Sequence, residues 1–135
     1  MKKTGESAAP ENSCPCGSSK SYALCCQPLH QGEAAANAQA LMRSRYSAYA
    51  LALHDYVWRS WHVSTRPARA DIGGDENTRW LGLSIRKHEL IDASHERVEF
   101  VARYKIAGRA FRLHEISRFV FEDGHWFYLD GEQRD

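Results

Sequence analysis

The sequence has no apolar run near the roughly 20 residues that a membrane-spanning helix needs. Residues Met1 to Asn12 are polar and lack the apolar stretch of a secretory signal. The expectation is a cytoplasmic protein, whose thiols stay reduced. Excess charge is missing too: the net charge is +1, so bulk electrostatics draws the chain toward neither nucleic acid nor a membrane surface. There is no nucleophile elbow, no phosphate loop and no dinucleotide fingerprint. There is no internal repeat and no long low-complexity tract. The seven histidines are scattered, with no His-x-x-x-His pair to suggest a second metal site. Cysteine is scarce, four residues in 135, yet all four fall within thirteen residues.

These four are Cys14, Cys16, Cys25 and Cys26. Four thiolates so close together match the ligand count of a closed, tetrahedral, all-cysteine zinc site. Cys14-Pro15-Cys16 aims two sulfurs from one turn, Gly17 frees the backbone, and Ser18 and Ser19 supply hydroxyls to it. A short helix over Ser19 to Leu24 would return Cys25 and Cys26 to the same ion. A segment this small buries no core of its own, so a metal would supply much of its folding free energy. The competing reading is a redox or disulfide cluster. Strain between adjacent cysteines and a reducing compartment weigh against it.

Cys14-Pro15-Cys16-Gly17-Ser18 with Cys25-Cys26 resembles the SEC-C motif, the zinc knuckle at the C-terminus of the translocation ATPase SecA. Lys20 and Tyr22 stand where that motif carries a lysine and an aromatic, and Ser19 replaces a frequent second glycine. A knuckle followed by Arg43-Ser44-Arg45-Tyr46-Ser47-Ala48-Tyr49 is similar to the YchJ family of small uncharacterised bacterial proteins. Further matches include Trp61-His62, Trp80-Leu81-Gly82-Leu83, His114-Glu115 and Trp126-Phe127-Tyr128-Leu129-Asp130-Gly131. The resemblance implies a nuclear-transport-factor-two-like cone, with helices packed on a curved antiparallel sheet. It brings no established activity. The expected organisation is a disordered tail over 1–11, a SEC-C zinc knuckle over 12–30, and an α+β domain over 31–135.

The residues alone give the same α+β layout. An alanine-rich stretch without proline or glycine predicts a helix from Glu33 to Leu53, with Met42, Tyr46, Tyr49 and Leu53 as its apolar stripe. A second short helix is expected from His54 to Trp61, then a flexible loop through Gly73-Gly74. From Trp80 the period becomes two. Strands are predicted over Trp80–Lys87, His95–Ile106, Arg109–Phe121 and His125–Asp130, with turns at Ala107-Gly108 and Asp123-Gly124. Those turns pair Phe100 with Glu115, Val98 with Ser117 and Phe119 with Tyr128.

Two residues on the apolar side of that sheet, Glu115 and Ser117, are out of character, because a carboxylate there must be paired, hydrated or neutralised. In a cone-shaped fold they would line a pocket with Tyr104, Trp126 and Tyr128, and with His62 or Arg45 as polar partners. The competing reading is an internal Glu–Arg bridge between helix and sheet. The opposite face carries Arg97, Arg103, Lys105, Arg112 and Arg118. Nucleic-acid contact by this face is conceivable, but the excess of nine Lys/Arg over five Asp/Glu from Thr78 to Arg118 is modest. Val101, Ile116, Val120, Phe127 and Leu129 share that face, so both a monomer and a dimer are compatible with the pattern.

Two functions are therefore expected. The first is a non-enzymatic adaptor whose zinc knuckle contacts a protein partner, which the SecA resemblance puts among chaperones, the translocation machinery or the ribosome. The second is a small-ligand-binding or enzymatic protein that uses the pocket, with Glu115 as acid/base.

Overall fold

The computed structural model describes residues 12–74 and 77–134. The expected tail over 1–11 and Asp75 of the central loop lie outside the described residues. The elements follow in the order α1 (Gln27–His30), α2 (Ala38–Ala50), α3 (His54–Arg59), β1 (Thr78–Asp92), β2 (His95–Ile106), β3 (Arg109–Glu122) and β4 (His125–Arg134). Single 3-10 turns at Tyr22–Leu24 and Arg69–Asp71 complete them. None of the described helices is long and apolar enough to cross a membrane.

The four strands form one antiparallel meander in the order β1-β2-β3-β4. Ala107 and Gly108 both take positive φ, 52° and 83°, and so do Asp123 and Gly124, 54° and 81°. That geometry is the tight turn whose twist matches flanking strands; it sets one register throughout β2–β3, while β3–β4 slips once, between Arg118 and Phe119. Phe100 pairs with Glu115, Val98 with Ser117 and Phe119 with Tyr128, as expected. A third tight turn, between Asp92 and His95, carries no glycine signal. There the Asp92 carboxylate accepts from Ser94 N at 2.8 Å. β1 is longer than predicted and its register shifts three times against β2. Each shift adds local twist and bend, which curves the sheet.

α2 begins at Ala38, five residues after the predicted start. Asn37 caps it, its side-chain oxygen accepting from Ala40 N at 2.8 Å. A second cap comes from the sheet: Glu96 Oε1 accepts from Ala38 N at 3.0 Å and lies 2.7 Å from His88 Nε2. α2 lays Leu41, Met42 and Tyr46 on Val98, Phe100, Ala102, Phe119 and Trp126. Cys14, Cys16 and Cys26 belong to the same buried cluster. The knuckle and the sheet domain, separate units in the sequence reading, thus share one core. α3 packs Tyr56 and Val57 against Ala48 and Ile72. The chain then joins the sheet through His62 N to Tyr128 O at 2.8 Å and Tyr128 N to Ser60 O at 2.9 Å.

Candidate functional site

The knuckle opens with a short antiparallel contact, Cys14 N to Lys20 O and Tyr22 N to Asn12 O, both 2.8 Å. Gly17 and Ser19 turn the chain between them with φ of 81° and 75°. The 3-10 turn at Tyr22–Leu24 is shorter than the predicted helix, and the following α1 provides the rest of the return. The outcome is that the Sγ atoms of Cys14, Cys16, Cys25 and Cys26 all lie within 4.8 Å of one another. Cys16 and Cys25 are 3.6 Å apart, and Cys25 and Cys26 are 3.9 Å apart. A tetrahedron with metal–sulfur bonds of about 2.3 Å has sulfur–sulfur edges of about 3.8 Å. The donor set therefore fits one tetrahedral, thiophilic metal ion.

Crowding splits the proton affinities of these thiols. The Cys16 thiol is pulled down to about 4, chiefly by its hydrogen bond with Cys26. Cys26 is pushed up by the same bond and then by burial. Cys25 is pushed up by burial. A cation among the sulfurs would remove this competition by displacing the protons.

Around the sulfurs, hydroxyls and α2 hold the arrangement. Ser18 Oγ is 3.1 Å from Cys25 Sγ, and Ser47 Oγ is 3.4 Å from Cys14 Sγ. Arg43 Nη1 donates to Cys16 O at 2.9 Å, so this arginine fastens the knuckle rather than facing solvent. His30 bridges as well, with Nε2 2.8 Å from Ser44 O and Nδ1 2.7 Å from Tyr22 OH. A carbonyl only accepts, so Nε2 carries the proton and Nδ1 accepts from the tyrosine hydroxyl. Sequence reasoning missed Ser47, Arg43 and His30 as supports, because the farthest partner of each lies 14 to 33 residues away.

A cavity of about 270 Å³ lies between α2 and the sheet. Met42, Tyr46, Trp80, Phe100 and Leu113 form its apolar walls. Arg45, Trp61, Glu115, Ser117 and Tyr128 supply its polar atoms. Glu115 Oε2 accepts from Ser117 Oγ at 2.7 Å and from Tyr128 OH at 3.3 Å. Gly131 makes room for this carboxylate, since a Cβ there would collide with it. Burial, and then the charge of Glu115, push the Tyr128 phenol above its ordinary range and keep it a donor.

Arg45 is 4% exposed. Its Nη1 donates to Val57 O at 2.8 Å and Ser60 Oγ at 2.7 Å. The guanidinium lies 4.4 Å from the centre of the Tyr128 ring and 5.3 Å from that of Trp61. Burial lowers its proton affinity. No ion pair joins it to Glu115, so the internal bridge weighed from sequence is not formed.

Arg45, Glu115, Ser117 and Tyr128 thus meet in one cavity. The other three sequence candidates do not join them. Tyr104 lies further along the strand, stacked on Phe111 at 5.4 Å and tilted against Trp80 at 5.1 Å. Trp126 packs into the core and lines a different hollow with Leu29 and Leu41. His62 lies one residue past Trp61, which takes the cavity side. The histidine instead binds Glu122 Oε1 at 2.6 Å and Ser64 Oγ at 2.7 Å. On the outer face, Arg118 forms a two-point pair with Asp130 and Arg97 pairs with Glu89. That pairing removes part of the basic patch.

Comparison with known proteins adds the relatives. The family model described as the YchJ middle NTF2-like domain matches residues 37–131. A UPF0225 protein of Cupriavidus metallidurans is 49% identical over 98% of this chain and 95% of its own. One from Ralstonia nicotianae is 50% identical over 92% and 93%. Two solved structures are similar. A SEC-C motif-containing protein of Rhodopseudomonas palustris is 35% identical with a TM-score of 0.76, over 90% of this chain and 98% of that one. Another from Psychrobacter arcticus is 29% identical with a TM-score of 0.72, over 87% and 80%. The fold agrees with these two SEC-C motif-containing structures, the Cupriavidus and Ralstonia relatives carry the name UPF0225, and the chain belongs to the YchJ family.

Proposed function

We propose that this protein is a cytoplasmic, zinc-binding, non-enzymatic adaptor whose knuckle contacts a protein or ribosomal partner. The observation that carries the reading is the convergence of four thiols at tetrahedral spacing. Cys14, Cys16, Cys25 and Cys26 would hold the ion. Four thiolates leave no open position for water or substrate, so the metal's role is structural. The knuckle also carries an apolar side chain in solvent, Leu24 at 79% exposure, four residues from Lys20. An exposed leucine near a cation suits a partner with an apolar pocket and acidic rim. The resemblance to the SecA knuckle suggests a chaperone, the translocation machinery or the ribosome.

The test is a pull-down comparing wild type with a Leu24→Glu variant and a Cys25→Ser/Cys26→Ser variant. Recovered components are then re-bound in purified form. A partner bound by wild type and lost from both variants supports the adaptor. Equal recovery by all three rejects it.

A second reading rests on the cavity. A buried arginine without an ion-pair partner among the described residues and a carboxylate held by two hydroxyls line one space. This favours use of the cavity for a small ligand, with Glu115 as a candidate acid/base.

A further inference from the structure

The cavity's unsatisfied groups define a ligand, an inference that rests on the small-ligand reading. Arg45 is nearly enclosed, yet among the described residues only its Nη1 has acceptors, Val57 O and Ser60 Oγ. Its Nε and Nη2 protons have none. Neither atom is fully enclosed, so both face open space in the cavity, and the guanidinium's fork of donors matches a carboxylate. Beside it, Trp61 Nε1 is buried without an acceptor among the described residues. Rotamer adjustment of that indole would give the same incoming group a further donor. The positive end of the cavity is thus short of oxygen acceptors.

In the same cavity, Glu115 commits Oε2 to Ser117 and Tyr128. Oε1 has no donor among the described residues and is available to a hydroxyl. Aromatic rings line the same space. Tyr46 and Trp80 meet edge to face, with centroids 5.6 Å apart, and Tyr128 carries the guanidinium on its face. Aromatic walls of this kind favour an aromatic ligand.

We propose that the cavity binds a small aromatic carboxylic acid bearing a hydroxyl. Its carboxylate meets Arg45, its ring lies among Tyr46, Trp80 and Tyr128, and its hydroxyl donates to Glu115.

The test uses the full chain and 4-hydroxybenzoate as probe, with phenol and 4-hydroxybenzamide as neutral comparators. Binding is followed by calorimetry and by the indole N–H resonances of the four tryptophans. The expected result is saturable binding of the acid, with the Trp61 resonance shifting. Loss of a charge-assisted contact weakens binding about 10-fold or more, both for the neutral comparators and in Arg45→Met. Arg45→Met can lose its fold, so Glu115→Gln serves as the second variant. It should retain 4-hydroxybenzoate less well than benzoate, relative to wild type. Equal affinity for acid and neutral comparators would overturn the acid assignment and leave the cavity a ligand site. If acid, phenol and amide all fail to bind at millimolar concentration, both the inference and the small-ligand reading fall.

Discussion

The Ser47 hydroxyl donates to the Cys26 sulfur at 3.3 Å, so a side chain in the middle of α2 holds a ligand of the knuckle. Ser47 is fully buried, and its oxygen also lies 3.4 Å from the Cys14 sulfur. Hydroxyls that touch thiolates orient them and spread their charge. Ser47→Ala should therefore loosen the metal without removing a ligand. We expect a stability loss of about 1 kcal/mol by chemical denaturation. Zinc transfer to a competing chelator should also strengthen by about 10-fold. A Ser47→Ala protein that holds zinc as well as wild type would separate the knuckle from α2.

Ser19 sits at φ 75°, a left-handed conformation that costs most side chains free energy and glycine little. Its Cβ is the source of the strain. Ser19→Gly should raise the stability of the zinc-loaded protein by about 0.5 to 1 kcal/mol, offset in part by the entropy glycine adds to the unfolded chain. Denaturation midpoints of the two proteins check the sign.

Gly131 leaves room for the Glu115 carboxylate over β4. Gly131→Ala should push that carboxylate off Ser117 and Tyr128 while the strand pairing persists. The readout is the Tyr128 phenol. With the neighbouring negative charge moved away, its titration should begin at lower pH than in wild type, followed by ultraviolet difference spectroscopy.

His30 is held neutral between Tyr22 and Ser44, and burial lowers its proton affinity below the ordinary value. The unfolded chain thus binds a proton at higher pH than the folded one. Stability from this group is complete above the unfolded value of about 6.5 and is lost as pH falls below it. Nearby Arg59 adds a smaller push in the same direction, and the Ser44 carbonyl opposes it. Wild type should lose more melting temperature between pH 7.5 and pH 5.5 than His30→Gln. Metal loss is common to both proteins, and the difference between them isolates the histidine.

The parts that were legible in the sequence are those fixed by local rules. Ala107-Gly108 and Asp123-Gly124 set two turns, and period-two alternation then gave every pair from Phe100–Glu115 to Phe119–Tyr128. The parts that were not legible depend on distant residues. The start of α2 is set partly by Glu96, 58 residues away, which no helix propensity registers. The register shifts of β1 that curve the sheet have no sequence signal comparable to a turn glycine. Parity placed Tyr104, Trp126 and Glu115 on one face, but parity says nothing of position along a strand, and the cavity occupies only part of that face. The same limit hid Trp80, whereas Trp61 lies past α3, outside the strands, and reaches the cavity through its bridge to Tyr128. The four cysteines were legible because their chemistry is rare and their spacing is short.

Native mass spectrometry of protein purified without added metal tests the account most directly. The predicted result is one zinc per chain, lost together on acidification or with chelator. The loss should lower the melting temperature of the whole domain, because Cys14, Cys16 and Cys26 share its core. A metal-free chain lighter by two hydrogens per cysteine pair would contradict it, and would make the four sulfurs a disulfide site.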